Sequence, residues 1–137
     1  MKIRKVTFDE VVRLTERIAT FVQNKGIKVE VILAPLYGAG IPATLIARIL
    51  DVTRIEMFRT IRYEAVHLKR VKGNVLLVED IVDSGWTIQQ IHQIQGKIPT
   101  VALFRKLSAN PQPMYSPVCI GEDYWVAFPW EKEELCP

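Results

Sequence analysis

Cysteine is scarce in this chain. The two present, Cys119 and Cys136, have neither the spacing of a metal-ligand pair nor the density of a secreted disulfide scaffold. No apolar run approaches the ~20 residues needed to cross a bilayer, which argues against a membrane partner. The first nine residues are charged throughout and lack the apolar segment of a signal peptide. Internal repeats and low-complexity tracts are also missing. The charge imbalance is small, 18 basic against 15 acidic side chains for a net charge of +3, and suits an anionic small molecule about as well as RNA. A cytoplasmic location is the expectation these absences leave. What remains is an ordinary globular composition, 49% hydrophobic and 24% charged over 137 residues. That length suits a single domain over residues 1–137, able to bury roughly two thirds of the surface its unfolded chain exposes.

The apolar pattern alternates between strand and helix. Thr7-Phe8-Asp9-Glu10 reads as a capping box, with Thr7 capping the first turn and Glu10 reaching back to the Thr7 amide. The spacing predicts a helix over residues 8–24, buried along Val11, Leu14, Ile18, Phe21 and Val22 and ended by Lys25-Gly26. A short apolar strand follows over 29–34, then the loop Pro35-Leu36-Tyr37-Gly38-Ala39-Gly40 and a helix over 41–50. Further strands are expected over 52–58, 75–79 and 101–105, with a helix over 87–95. Strands separated by helical segments imply an α/β fold with a single doubly wound, mainly parallel sheet. Residues 110–137, rich in proline and aromatics, are expected to form a small C-terminal hood over the sheet edge.

The densest chemistry lies in residues 75–87. Val75, Leu76, Leu77 and Val78 form a continuous apolar run, as in a parallel strand covered on both faces. Glu79 and Asp80 then stand at its carboxyl end, where open α/β sheets bind ligands. Asp83-Ser84-Gly85-Trp86-Thr87 follows at once. Gly85 lets the backbone approach an anion, Ser84 and Thr87 supply hydroxyls, and a helix starting near Thr87 aims its unpaired N–H groups at the same point.

This segment resembles the signature of the type I phosphoribosyltransferases, which use phosphoribosyl pyrophosphate (PRPP): four apolar residues, two acids, two apolar residues, Asp or Ala, Thr or Ser, Gly, any residue, Thr. All thirteen positions match without a gap. The resemblance implies that Asp83, Ser84, Gly85, Trp86 and Thr87 hold the PRPP 5′-phosphate, and that Glu79 and Asp80 accept hydrogen bonds from the ribose hydroxyls. Mg²⁺ is then bound through PRPP near those acids, with no certain direct protein ligand. Asp83 is implied as the general base near purine N7. The loop Leu36-Tyr37-Gly38-Ala39 occupies the place where the family binds pyrophosphate; Tyr37 stands where relatives often carry Lys or Arg, and the bond Leu36-Tyr37 is a candidate non-proline cis peptide.

The end of the fourth expected strand, Phe104-Arg105-Lys106, matches the 6-oxopurine branch of the family, in which a lysine donates to purine O6. Tyr124-Trp125-Val126-Ala127-Phe128-Pro129-Trp130-Glu131 is similar to the ending of microbial xanthine-guanine phosphoribosyltransferases. There an aromatic stacks on the base and the next main chain reads its exocyclic group, roles that pass to Trp125 and Val126, with Glu131 beside the purine. Phe128 and Trp130 read as core or interface aromatics. From Arg59 to Lys72 the chain is basic, with only Arg62-Tyr63 where relatives carry a longer lid. His67 within it reads as a surface residue, and His92 as structural.

The implied function is transfer of phosphoribosyl from PRPP to guanine, xanthine or hypoxanthine, giving the nucleoside monophosphate and pyrophosphate, in a homodimer or larger homo-oligomer. The alternative is a regulator on the same fold that senses PRPP or nucleotide and meets nucleic acid through residues 59–72. Lys106, Trp125 and Pro129-Trp130-Glu131 favour the enzyme, because a regulator needs no base-reading groups and an ammonium donor suits an oxo group rather than the 6-amino group of adenine.

Overall fold

The computed structural model describes residues 1–60 and 66–131. The Arg62-Tyr63 pair, Glu64 and Cys136 lie outside the described residues, as does the side chain of His67. In chain order the elements are β1 (Lys2–Lys5), α1 (Phe8–Asn24), β2 (Val31–Pro35), α2 (Gly40–Leu50), β3 (Arg54–Thr60), β4 (Val66–His67), β5 (Val75–Val82), α3 (Trp86–Gln95), β6 (Thr100–Lys106), β7 (Val118–Ile120) and β8 (Tyr124–Ala127).

The main sheet has the order β4-β3-β2-β5-β6-β7, parallel throughout except for the antiparallel β3/β4 pair. Its central strands are continuous apolar runs because both faces are covered: every residue of β2 is buried. One face packs on α1 and α2, joining Ile32, Leu76, Val78 and Val101 to Val11, Leu14, Ile18 and Ile46. The other packs on α3, joining Val31, Leu33 and Leu77 to Ile88 and Ile91. The chain leaves β2 toward β3 and returns on the other side of β2 as β5. Loops at the carboxyl ends of β2 and β5 therefore diverge and leave a crevice between them.

The Thr7 cap is present, with Thr7 Oγ1 accepting from the Glu10 N–H at 3.1 Å. The other half of the expected capping box gives way: the Glu10 carboxylate is taken up by the Arg4 guanidinium, a charge-assisted fork stronger than a bond to a neutral amide. Lys25 and Gly26, the latter at φ +66°, end α1 as expected. Strand β5 runs to Val82, beyond the expected end at residue 79, so Glu79 and Asp80 lie within the strand. Among the described residues of the expected hood, β7 extends the main sheet and β8 leaves it, paired in parallel with β1 as a two-stranded sheet. Strand β1, Lys-Ile-Arg-Lys, is largely exposed and carries no apolar run, which is why its pattern did not announce a strand.

Candidate active site

The first wall of the crevice is the turn after β2. The Leu36 N–H donates to the Phe58 carbonyl at 2.8 Å, tying the turn to β3, and the Leu36-Tyr37 peptide is cis. Tyr37 is 83% exposed, so this position gives solvent a phenol rather than a cation. Gly38 faces the acids of β5: a Cβ there would come within 2.0 Å of Asp80 Oδ2. Only a residue without a side chain lets this loop lie against the carboxylate.

Because successive strand residues point to opposite faces, the acid pair is divided. Glu79 turns toward α3, lies beside the Ser84–Thr87 turn and is 5% exposed. Burial, helped by the neighbouring Asp80 charge and opposed by the Thr87 hydroxyl, pushes the Glu79 carboxyl up to about 8. Asp80 turns toward Gly38 and the hood and is only partly buried. Desolvation raises its pKa too, against the Ile81 N–H that donates to Asp80 Oδ1 at 2.9 Å. Glu131 is raised first by desolvation and then by the Asp80 charge, which brings the chain's last described residue to the same acid.

The turn from β5 into α3 forms a cavity of about 100 Å³ edged by Glu79, Asp83, Ser84, Gly85 and Thr87. Ser84 Oγ accepts from the Trp86 N–H at 3.2 Å, and α3 starts at Trp86, one residue earlier than expected. Gly85 adopts φ +91°, and a Cβ on it would meet the Asn110 carbonyl at 2.5 Å. The Asn110 N–H in turn donates to the Ser84 carbonyl at 2.9 Å, so a chain segment far along the sequence, with a cis Asn110-Pro111 bond, backs the turn.

A second cleft, about 230 Å³, adjoins this cavity and shares Ile81 and Asp83 with it. Lys106, at the end of β6, places Nζ 3.1 Å from Asp83 Oδ1 and donates to the Glu122 carbonyl at 3.5 Å. Trp125, 37% exposed, and Tyr124 form the hood side, with Val126 buried behind them. Of the two aromatics read as core or interface, Phe128 is buried and also borders this cleft, and the half-buried Trp130 packs on it: their rings stack at 4.8 Å and 5°, and Phe128 meets Phe104 edge-on. Tyr124, Ile81 and Glu122 were not singled out from sequence. Tyr124 had a signal in its adjacency to Trp125; Glu122 acts through its main chain and had none. His92 lies on α3 outside both cavities, its Nε2 buried without a partner. A larger shallow groove, about 600 Å³, runs along α1 beside Arg17 and Tyr115 and shares no residue with this site. Among the described residues no group of three or more metal-ligating side chains occurs, and no helix is long and apolar enough to cross a membrane.

No family model matches the chain. Among curated proteins it is 30% identical over 112 residues to a xanthine-guanine phosphoribosyltransferase of Desulfotalea psychrophila, covering 74% of this chain and 70% of that protein. A xanthine-guanine phosphoribosyltransferase of Nitratidesulfovibrio vulgaris is 26% identical over 142 residues, spanning 96% of this chain and 86% of the relative. Among solved structures, a purine phosphoribosyltransferase of Pyrococcus horikoshii superposes with a TM-score of 0.77 at 24% identity, covering 96% of this chain and 95% of that one. With its signature turn on the switch-point crevice and a relative of this identity and coverage, the chain belongs to the type I phosphoribosyltransferase family that contains the xanthine-guanine enzymes.

Proposed function

We propose that the protein transfers the 5-phosphoribosyl group of PRPP to N9 of a 6-oxopurine, releasing pyrophosphate, as a salvage glycosyltransferase. The observation that carries this reading is the meeting of two cavities at Asp83, one fit for a phosphate at a helix N-terminus, the other lined by the aromatics Tyr124 and Trp125 and by the polar Asp83 and Lys106. The Asp83–Lys106 pair, 3.1 Å apart, presents an acceptor and a donor side by side, matching the N7–H and O6 edge of a 6-oxopurine. The base stacks on Trp125, Lys106 donates to O6, the Val126 main chain faces the exocyclic group and Glu131 borders the base. N9 attacks ribose C1 as the C1–oxygen bond to pyrophosphate breaks and its electron pair leaves with pyrophosphate; the N7 proton passes to Asp83. Ser84, Gly85, Trp86 and Thr87 receive the 5′-phosphate, while Leu36, Tyr37, Gly38 and Ala39 receive the pyrophosphate.

Asp80, partly accessible, takes the ribose hydroxyls, with Glu79 more deeply set behind the phosphate turn. The oxygen donors at Asp80 fit Mg²⁺, an ion that keeps few protein ligands and relies on substrate oxygens; bound with PRPP, it neutralises the departing pyrophosphate. Burial raises both Asp80 and Glu131, and the Asp80 charge adds to the rise at Glu131, so a cation brought in with PRPP is favoured at this corner. One domain over residues 1–137, a cytoplasmic location and a homodimer or larger homo-oligomer complete the reading. The oligomer is supported by Ile41, Ile49 and Met57, exposed apolar side chains on α2 and β3.

The test is pyrophosphate release from PRPP and Mg²⁺ with guanine, xanthine, hypoxanthine and adenine in turn. Release with a 6-oxopurine but not adenine is expected. Asp83→Asn should then lower kcat by about 10²–10⁴-fold with little change in PRPP affinity. Binding of PRPP without turnover on any base would favour a nucleotide-sensing regulator instead.

A further inference from the structure

The wall that carries Trp125 and Val126 does not belong to the main sheet. Among the described residues strand β8 pairs with β1 alone, in the register Lys2↔Tyr124, Ile3↔Trp125, Arg4↔Val126 and Lys5↔Ala127. Main-chain bonds close both ends of the ribbon, from the Lys2 N–H to the Asp123 carbonyl at 2.9 Å and from the Val6 N–H to the Ala127 carbonyl at 3.0 Å. The wall of the base cleft is therefore held through the N-terminal strand as well as through Phe128 on Phe104 and the Glu122 carbonyl on Lys106, so its position against Lys106 depends in part on what fastens β1 to the body of the protein.

Arg4 supplies a three-way fastening. Its guanidinium forks onto the Glu10 carboxylate, with Nη1 3.0 Å from Oε2 and Nη2 bonded to Oε1. Glu10 sits in the capped first turn of α1, so the fork ends on a rigid support. Nη1 also donates to the Lys5 carbonyl at 3.1 Å. The guanidinium carbon lies 5.4 Å from the centroid of Phe104, two residues before Lys106 on β6. One side chain thus joins the strand opposite Val126, the helix α1 and the strand that ends in Lys106. The pair is shielded on both sides, at 34% and 21% side-chain exposure, which makes it less subject to screening than a surface ion pair.

We infer that Arg4 is a positioning residue for base recognition: through Glu10 and Phe104 it sets the distance between the Trp125–Val126 wall and Lys106, and so governs affinity for the purine and not for PRPP. This rests on the purine reading of the cleft. Arg4 does not line the 5′-phosphate cavity, which predicts the asymmetry. Lysine cannot replace it, since an ammonium lacks the planar fork that meets both carboxylate oxygens.

The experiment compares unmodified protein with Arg4→Met, Arg4→Lys and Glu10→Gln, and with the exchanged pair Arg4→Glu with Glu10→Arg, by steady-state kinetics in each substrate and by amide hydrogen exchange over residues 124–127. Arg4→Met should raise the purine KM about 5–20-fold while the PRPP KM stays within about twofold, because small displacements of a binding wall are felt by the ligand it holds. Exchange over 124–127 should quicken relative to β5. Arg4→Lys should recover less than half of the loss, and the exchanged pair, which restores the ion pair without the contact to Phe104, only part of it. Equal rises in both KM values, or an unchanged purine KM in a folded variant, would overturn the inference. Absence of turnover in the unmodified protein would count against the transfer reaction alone; the brace would still be judged by exchange, and unchanged exchange over 124–127 in Arg4→Met would overturn it.

Discussion

Gly38 shows how much of this site is decided by single atoms. With Asp80 Oδ2 2.0 Å from where a Cβ would stand, Gly38→Ala must push the turn after β2 away from the acid or displace the acid itself. Either shift separates the pyrophosphate turn from the ribose carboxylate. We expect kcat/KM for PRPP to fall about 10²-fold in Gly38→Ala with circular dichroism unchanged, as misplacements near 1 Å do; near-normal kcat/KM would mean that the two loops need not touch. Glu79 makes a different prediction, read from stability. Its folded pKa of about 8 lies above the ordinary 4.5, so between these values the native state keeps a proton that the unfolded chain has released. Stability from this group is greatest below the lower value and declines as pH rises toward the upper one, at no more than about 1.4 kcal/mol per pH unit. Asp80 acts with the same sign. Urea denaturation across that window should therefore show a flatter decline in Glu79→Gln than in the unmodified protein, and equal slopes would show that Glu79 ionises freely in the fold.

The elements divide into those that carry their own instructions and those that borrow them. Helix α1 is of the first kind: Thr7 caps it, apolar residues recur along one face, and Lys25-Gly26 close it. Thr7→Ala should cost about 1 kcal/mol in chemical denaturation, since the Glu10 N–H loses its acceptor; no change would mean that water replaces the cap without loss. The buried strands β2, β5 and β6 are also self-declaring, through runs of apolar residues covered on both faces. Strand β1 is of the second kind. Its charged sequence becomes a strand because β8 offers a ladder, and β7 is three residues that extend an existing edge. Strand β5 shows how an element boundary changes a site. Ending it at residue 79 leaves Asp80 in the loop that follows, whereas its actual course to Val82 keeps both acids in the strand, on opposite faces.

For the whole molecule, ligand and fold should be coupled because the site is assembled from both ends of the chain. In the proposed reaction PRPP with Mg²⁺ sits against the turns after β2 and β5, and the base against β6 and β8. Saturation at about 100 times Kd should stabilise the protein by about 2.7 kcal/mol. A thermal-shift series should show the melting temperature rising by several degrees with PRPP and Mg²⁺, and most of that gain disappearing when EDTA removes the metal. No shift with PRPP and Mg²⁺ at any concentration would count against the site. The local chemistry of the sequence was sufficient for the parallel α/β architecture, the helix α1 with its cap and the thirteen-residue signature turn. Each depends on neighbours a few residues apart: a continuous apolar run, a capping hydroxyl, a glycine free to take positive φ. Tertiary structure alone decided that Lys2–Lys5 pairs with Tyr124–Ala127, that Gly38 rests on Asp80, that Lys106 meets Asp83 and that Glu10 turns to Arg4. Those contacts join strands and loops from distant parts of the sequence or compete with a local bond, and no local pattern records which partner wins.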